Sequence, residues 1–437
     1  MVNGDTTAEP DENFFVDLAN PTNAVIGNGH GTVTIINDVP IRLGAPSYSV
    51  NEGAGTVEVT FTRASGATAA ATVNYQTINA AGLNNCNMAT GAASSRCDYL
   101  AAPLGTVSFA ANETSKTISI PIIDDAYAEG TENFQIALVS SVGASLGVPT
   151  SATIAITDND SVNGSNPIDT AVFMVRQHYL DFLSRNPDQS GWDFWTNQIT
   201  SCGNDSQCTE VRRIDVSASF FLSIEFQQTG YMVERFYKAA FGDASGASTF
   251  GSNHQLPVPV VRFDEFLRDT QRIGRGVIVL QPGWEQLLES NKQAYALEFV
   301  QTSRFTNAFL NTTSPAEFVD KLNQNAGNVL SAGERATAIN LFGGAPSSAN
   351  LNARAQAVRM VAEDQTLYDA EYNRAFVLAQ YFGYLRRNPN DAPESTLDYT
   401  GYDFWLTKLN QFNGNYINAE MVKAFLSSIE YRQRFGP

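Results

Sequence analysis

Ile122 to Phe134 reads I-I-D-D-A-Y-A-E-G-T-E-N-F. Apolar residues alternate before it, at Ile118, Ile120 and Ile122, and after it, at Phe134, Ile136 and Leu138. Alternation of period two marks strands with one buried face, so this stretch is the joint between two strands. The joint carries Asp124, Asp125, Glu129 and Glu132 and no basic residue. Two carboxylates about 4 Å apart repel by about 4 kcal/mol at an effective dielectric of 20, so a positive partner is expected there. Oxygens converging from loops, with no His or Cys among them, suit a hard cation and above all Ca²⁺.

Around this joint lie seven short runs of strand type: Ser47 to Val50, Thr56 to Thr62, Thr72 to Gln76, Gly105 to Phe109, Lys116 to Ile122, Asn133 to Leu138 and Ala152 to Thr157. Gly, Asn, Asp and Ser punctuate them, which argues for an antiparallel, immunoglobulin-like β-sandwich. The insertion from Asn79 to Cys97 is too irregular for a strand and reads as a loop tied by Cys86 and Cys97. An earlier, partial copy precedes the sandwich. Gly4 to Leu18 overlays Asp124 to Leu138, with Asp5, Glu9, Glu12 and Phe14 at the positions of Asp125, Glu129, Glu132 and Phe134. Gly31 to Asp38 similarly matches Ala152 to Asn159. Residues 1–40 therefore read as the tail of a repeat in a longer array. They are expected to be the least stable part, because two strands cannot bury a sandwich core.

The motifs V-N-E-G at Val50 to Gly53, D-Y at Asp98 and Tyr99, G-T-V-S-F at Gly105 to Phe109, D-D-A-Y-A-E-G-T-E-N-F at Asp124 to Phe134 and I-T-D-N-D at Ile156 to Asp160 stand in that order. Together they resemble a Calx-beta domain over about residues 42 to 160. The resemblance implies a sandwich that binds Ca²⁺ at one end, with Glu52, Asp98, Asp124, Asp125, Glu129, Asp158 and Asp160 as ligands and Glu132 flanking them. Asn159 stands where strong binders often carry a further Asp. The competing reading is that the same acidic residues merely form turns, which Asp and Asn do well without metal.

The chain has 437 residues, enough for two or three domains, and a net charge of −18. The first 165 residues hold a net −12 and the remainder −6. Such a balance is a poor match for nucleic acid, whose phosphates need Lys and Arg. Four cysteines fall as two close pairs, Cys86 with Cys97 and Cys202 with Cys208, which reads as two local disulfides and an oxidising compartment; free thiols are the alternative. The histidines, His30, His178 and His254, are scattered, which argues against zinc. No apolar run is long enough to span a membrane. Met1 is followed by Val-Asn-Gly-Asp, not by a basic and then apolar segment, so any secretion signal is expected upstream.

After a polar linker, S-V-N-G-S-N-P at residues 161–167, the apolar period changes from two to about 3.6. Phe173, Val175, Tyr179, Phe182 and Leu183 form a helical stripe that Pro187 is expected to end. The motifs then recur. Tyr179 to Pro187 answers to Tyr381 to Pro389, Gly191 to Trp195 to Gly401 to Trp405, and Phe220 to Phe226 to Phe425 to Tyr431, with Phe299 to Phe305 a weaker copy of the last. About four related helical units are expected, ending near Phe226, Phe305, Tyr368 and Tyr431. This region resembles the bacterial domain-of-unknown-function family 4214, which is seen mostly in secreted and surface proteins and is distantly similar to phycobilisome linker domains. The architecture expected is a β-sandwich over residues 41–160 followed by an α-helical repeat domain over 168–437.

Enzyme signatures are missing: no Gly-x-Ser-x-Gly, no His-Glu-x-x-His and no Gly loop before a Lys. His178 lies in an apolar helix, where a packed histidine outranks a general base. Arg185 to Asp188 with Gly191 and Trp195 reads first as a turn and only second as a ligand site. In the last unit the same place is stretched by D-A-P-E-S-T-L-D-Y-T at Asp391 to Thr400. The leading expectation is a non-enzymatic surface or secreted bacterial protein whose Calx-beta module is stiffened by Ca²⁺ and whose helical region serves attachment to surface or matrix proteins. A carbohydrate binder using Trp192 or Tyr402 as an exposed platform is the alternative, and a hydrolase the third.

Overall fold

The computed structural model describes residues 12–35, 39–64, 66–79, 81–82, 86–87 and 89–437. Asp5, Glu9 and part of the 31–38 match lie outside the described residues. Glu12 opens β1 (Glu12–Asp17), which pairs antiparallel with β2 (His30–Ile35) as a two-stranded ladder of its own. Phe14, Phe15 and Val16 on β1 are exposed.

The sandwich follows. β3 (Ile41–Leu43), β5 (Thr56–Arg63) and β8 (Ser115–Pro121) form one sheet in the order β3-β5-β8; β4 (Ser47–Asn51), β6 (Ala71–Ile78), β7 (Gly105–Phe109), β9 (Glu132–Val142) and β10 (Ser151–Thr157) form the other, in the order β4-β10-β9-β6-β7. Six of the seven strand runs named above lie within these elements, and the seventh, Lys116 to Ile122, overruns β8 by one residue. β3 was not foreseen, because three residues are too short to show a period. The antiparallel expectation also needs one correction, since β4 runs parallel to β10. The cause is that one edge is split: β3 pairs with β5, the chain crosses at Gly44 to Pro46, and β4 continues in the same direction on the facing sheet. Between the sheets Val59, Phe61, Val73, Phe134, Ile136 and Ile154 are essentially free of solvent, each contributing roughly 1.5–3 kcal/mol of burial. Tyr99 stacks on Phe134 with ring centroids 3.8 Å apart.

Beyond residue 167 the fold is helical: α1 (Ala171–Leu183), α2 (Gln189–Thr200), α3 (Ser206–Leu222), α4 (Ile224–Gln228) and α5 (Gly230–Phe241) precede a hairpin of β11 (Asp243–Ser248) and β12 (His254–Pro259). Then come α6 (Phe263–Gly274), α7 (Trp284–Phe299), α8 (Ser303–Ala308), α9 (Pro315–Asn325), α10 (Ala332–Asn340), α11 (Leu351–Ala362), α12 (Gln365–Gln380) with a π-helical turn at Tyr381–Leu385, α13 (Thr400–Gln411), α14 (Met421–Leu426) and α15 (Ile429–Arg432). α1 stops earlier than Pro187 suggested: Ser184 takes a left-handed conformation, φ 53°, and ends the helix there. Disulfides join Cys86 to Cys97 and Cys202 to Cys208.

The recurring motifs adopt matching local geometry. Ser184 and Arg386 are both left-handed, at φ 53° and 54°. Arg185 binds Glu225 through two bonds of 2.7 and 2.8 Å, and Arg387 binds Glu430 through two of 2.7 and 2.9 Å. Ser223 and Ser428 cap the next turn with identical 3.1 Å bonds to Phe226 N and Tyr431 N. The two tyrosine motifs also meet, for Gly383 lies so near Phe182 that a Cβ would stand 1.8 Å from its ring.

His178 is sealed in this core. Its Nδ1–H donates to the Met174 carbonyl at 2.8 Å, so Nε2 accepts from the Ser217 hydroxyl at 2.6 Å, and Tyr384 completes the chain on Ser217. Burial pushes the imidazole down to about 3. Between that value and an unfolded value of about 6.5, the unfolded chain takes up a proton that the folded one refuses, so stability falls as the pH drops. The cost of His178→Asn, measured against the parent by denaturant unfolding, should therefore shrink by about 2 kcal/mol between pH 7.5 and pH 5. A cost independent of pH would show that this histidine does not titrate on unfolding.

Candidate metal centre

Strand direction alone brings the acidic residues to one end of the sandwich. β4, β8 and β10 finish there and β9 begins there, so Glu52, Asp124, Asp158 and Glu132 emerge side by side. Asp98 arrives from the long loop between β6 and β7, held by the Ser94 N–H, which donates to its carboxylate, and by the neighbouring Cys86–Cys97 bond. A short helical turn at Glu52–Ala54, capped by Asn51, turns Glu52 inward, where its Oε1 accepts from the Asp125 N–H at 3.0 Å.

The carboxylates form two sets. In one, oxygens of Glu52, Asp158 and Asp160 lie within 4.8 Å of one another; in the other, oxygens of Asp98, Glu129 and Glu132 do so. Glu132, placed at the flank by sequence, is thus a full member of the second set. Asp125 belongs to neither set but feels the charge of Glu52, Asp160 and Glu129. Asp124 is turned to Asn159, whose Nδ2 donates to it at 2.9 Å. Gly53 makes room for that pair, since a Cβ would fall 2.9 Å from the Asn159 amide. Asp158 anchors the acidic loop by accepting from the Glu129 and Gly130 N–H groups, both at 2.7 Å.

Burial and mutual repulsion are visible in the protonation of these groups. Burial, and then the charges of Asp124, Asp158 and Asp160, hold the Glu52 carboxyl up to about 7. Burial, with Glu52, Glu129 and Asp160, raises Asp125 to about 9. Asp98 is pushed well above its ordinary range by burial and by the adjoining Glu132, whose carboxyl burial raises as well. Asp125 Oδ2 and Glu132 Oε1 are buried without a hydrogen-bond partner. Buried acceptors of this kind are costly unless something satisfies them. The donor set is all oxygen, it is negative, and two of its oxygens lack a partner, which fits a hard divalent cation. Arg176 of α1 supplies a positive charge near Asp124 while donating to the carbonyls of Gly55 and Ile122 at 2.8 and 3.0 Å. Sequence reasoning missed it because it lies across the linker, with nothing local to mark it.

The aromatic platform expected in the helical region is not formed by the residues first singled out. Tyr402 is fully buried, with Tyr399 of the lengthened loop edge-on to its ring, and donates to the Arg374 carbonyl. Trp192 is half-buried and its indole N–H donates to the Val172 carbonyl at 3.1 Å. Asp188 caps α2, and Gly191 sits where a Cβ would meet the Tyr179 hydroxyl at 2.2 Å, so the R-N-P-D stretch is a packed turn. A cavity of about 490 Å³ beside it is lined by Trp195, Phe194, Ile224 and Leu280.

Residues 1–40 and 37–160 match the family model of the Calx-beta domain. A curated relative, Extracellular matrix protein 3 of Lytechinus variegatus, is 32% identical over 169 residues, covering 37% of this chain and 5% of that protein. Among solved structures, the apo-form Calx CBD1 domain is 31% identical over 28% of this chain and 98% of its own, with a TM-score of 0.24. The calcium binding domain CBD12 of CALX1.1 is 28% identical over 28% of this chain and 47% of its own, also with a TM-score of 0.24. No helix among the described residues is long and apolar enough to cross a membrane. The N-terminal part of the chain is accordingly a Calx-beta region, followed by a helical region.

Proposed function

We propose that this chain is a non-enzymatic extracellular module of a larger bacterial surface or secreted protein, in which Ca²⁺ stiffens the Calx-beta sandwich and the helical region serves attachment or assembly. The single observation that carries the reading is the set of carboxylates at one strand end, with buried oxygens of Asp125 and Glu132 left unpartnered. Glu52, Asp158 and Asp160 on one side, Asp98, Glu129 and Glu132 on the other, and Asp125 between them would hold the ion or ions; Asp124 contributes charge. When bound, the ion supplies the positive charge that these oxygens lack. The extracellular placement is supported by the two disulfides and by the likeness to a matrix protein. The assignment of the helical region to domain-of-unknown-function family 4214 rests on its recurring motifs.

Extracellular Ca²⁺ modules work with dissociation constants of about 10⁻⁴ to 10⁻³ M. Free ion at tenfold excess over that constant would add about 1.4 kcal/mol per site. Replacing Asp125 and Asp158 together by Ala should abolish the Ca²⁺ heat and the Ca²⁺-induced rise in melting temperature; a double variant that answers like the parent would sink the assignment.

Protons should compete with the ion. A carboxyl whose folded pKa stands above its unfolded value stabilises the fold below the unfolded value and loses that contribution as pH rises through the folded one. With Glu52 at about 7 and Asp125 at about 9, the metal-free sandwich should lose stability as pH rises from about 4.5 to 9, and Ca²⁺ should reverse the trend. Binding at pH 7 should release on the order of one proton, read as a calorimetric heat that changes with the ionisation enthalpy of the buffer. Equal heats in two such buffers would contradict these protonation states.

A further inference from the structure

The loops that carry the buried carboxylates have an outer side, and the end of the helical region occupies it. On the loop of Asp125, the Ala126 N–H donates to the Phe435 carbonyl at 3.0 Å and the Tyr127 hydroxyl to the Gln433 carbonyl at 3.2 Å. Gly436 lies so close that a Cβ there would stand 3.3 Å from the Ala126 methyl. On the loop of Asp98, Arg434 Nε donates to the Arg96 carbonyl at 2.8 Å, and the Arg96 guanidinium reaches Glu430 at 3.2 Å. Asn166, in the stretch read as a linker, binds the carbonyls of Arg432 and Gly436 at 2.9 and 3.0 Å. Arg434 is itself fixed from the helical side by both oxygens of Asp181 and by the Tyr384 carbonyl.

We propose that residues 430–436 are a clamp for the cation centre, so that seating of this segment and binding of the ion favour one another. The inference rests on the reading of the centre as a Ca²⁺ site. Its physical basis is a shared backbone. Asp125 and Ala126 are adjacent, and Arg96 precedes Asp98 by two residues, so carboxylates that repel on the inner side are joined to peptide groups held on the outer side. Fixing those peptides from outside removes part of the ordering cost that the ion would otherwise bear. Linkage then requires the ion to tighten the clamp by the same factor that the clamp tightens the ion. Tyr127 and Arg434 are positioning residues in this scheme and touch no ion.

The test uses the full chain and Ca²⁺ alone as probe. Hydrogen exchange of the parent should slow on addition of Ca²⁺ at Ala126 and throughout residues 430–436, a segment that contributes no carboxylate to the centre. Tyr127→Phe, which removes only one hydroxyl, should weaken Ca²⁺ by roughly fivefold, and Arg434→Ala by tenfold or more. A merely structural contact would lower the melting temperature of Tyr127→Phe equally in EDTA and in saturating Ca²⁺, whereas a clamp makes the loss larger in Ca²⁺. Parental Ca²⁺ affinity in Tyr127→Phe together with unchanged exchange over 430–436 overturns the clamp and leaves the calcium reading standing. Absence of any Ca²⁺ binding by the parent overturns both.

Discussion

Like charges gathered out of water are the constraint on which the rest of this molecule depends. The sandwich could close its end with turn formers, and instead directs eight carboxylates there, several of them inside the protein surface. Without a counter-ion Glu52 and Asp125 hold protons well above the ordinary carboxylate range. Each such proton is a site that a divalent ion can displace, and each unpartnered oxygen is one that it can satisfy.

The same end of the sandwich is where the helical region is attached. Leu100 and Ile123 of the sandwich belong to the helical core, and Arg176 and Arg434 reach the sandwich backbone from α1 and from the chain end. Arg434 is nearly inaccessible and neutralised by Asp181 through two bonds of 2.9 Å. A buried pair of this sort adds little net stability but is costly to break, because the survivor is left charged and dry. Both partners belong to the helical region, so the pair holds the Arg434 side chain in place while its Nε–H makes the bond to the Arg96 carbonyl of the sandwich. The carbonyl of Phe435 and the guanidinium of Arg434 are bonded to peptide groups one and two residues from Asp125 and Asp98.

Within the helical region, duplication of sequence has become duplication of geometry with different surroundings. Arg185–Glu225 and Arg387–Glu430 are nearly superimposable pairs, each guanidinium lying over the tyrosine of its own motif, at 4.9 and 5.5 Å. The first pair borders an open cavity, whereas the second receives Arg96 from the sandwich. One copy of the motif has thus become a docking point between the two regions.

Local pattern in the sequence determined the parts of the fold that depend on near neighbours. Alternation at Ile118 to Ile122 and Phe134 to Leu138 specified the strands around the acidic joint; that Glu52, Asp124, Asp158 and their neighbours share one end was implied by the resemblance to a Calx-beta domain, and the strand directions of the fold realise it. The disulfides followed from spacing, and the matching caps at Ser223 and Ser428 from the recurrence of motifs. Only the tertiary structure decided that β4 pairs parallel with β10, since a three-residue β3 leaves no periodic trace and the crossing at Gly44 is a choice between sheets. It alone sorted the carboxylates into two sets, drew Glu132 to Asp98 and buried Tyr402, because burial and side-chain approach depend on residues well beyond the span of any local pattern. It also seated residues 430–436 on the acidic end, for most of the hydrogen bonds there are accepted by backbone carbonyls, and backbone carbonyls leave no signature in a sequence.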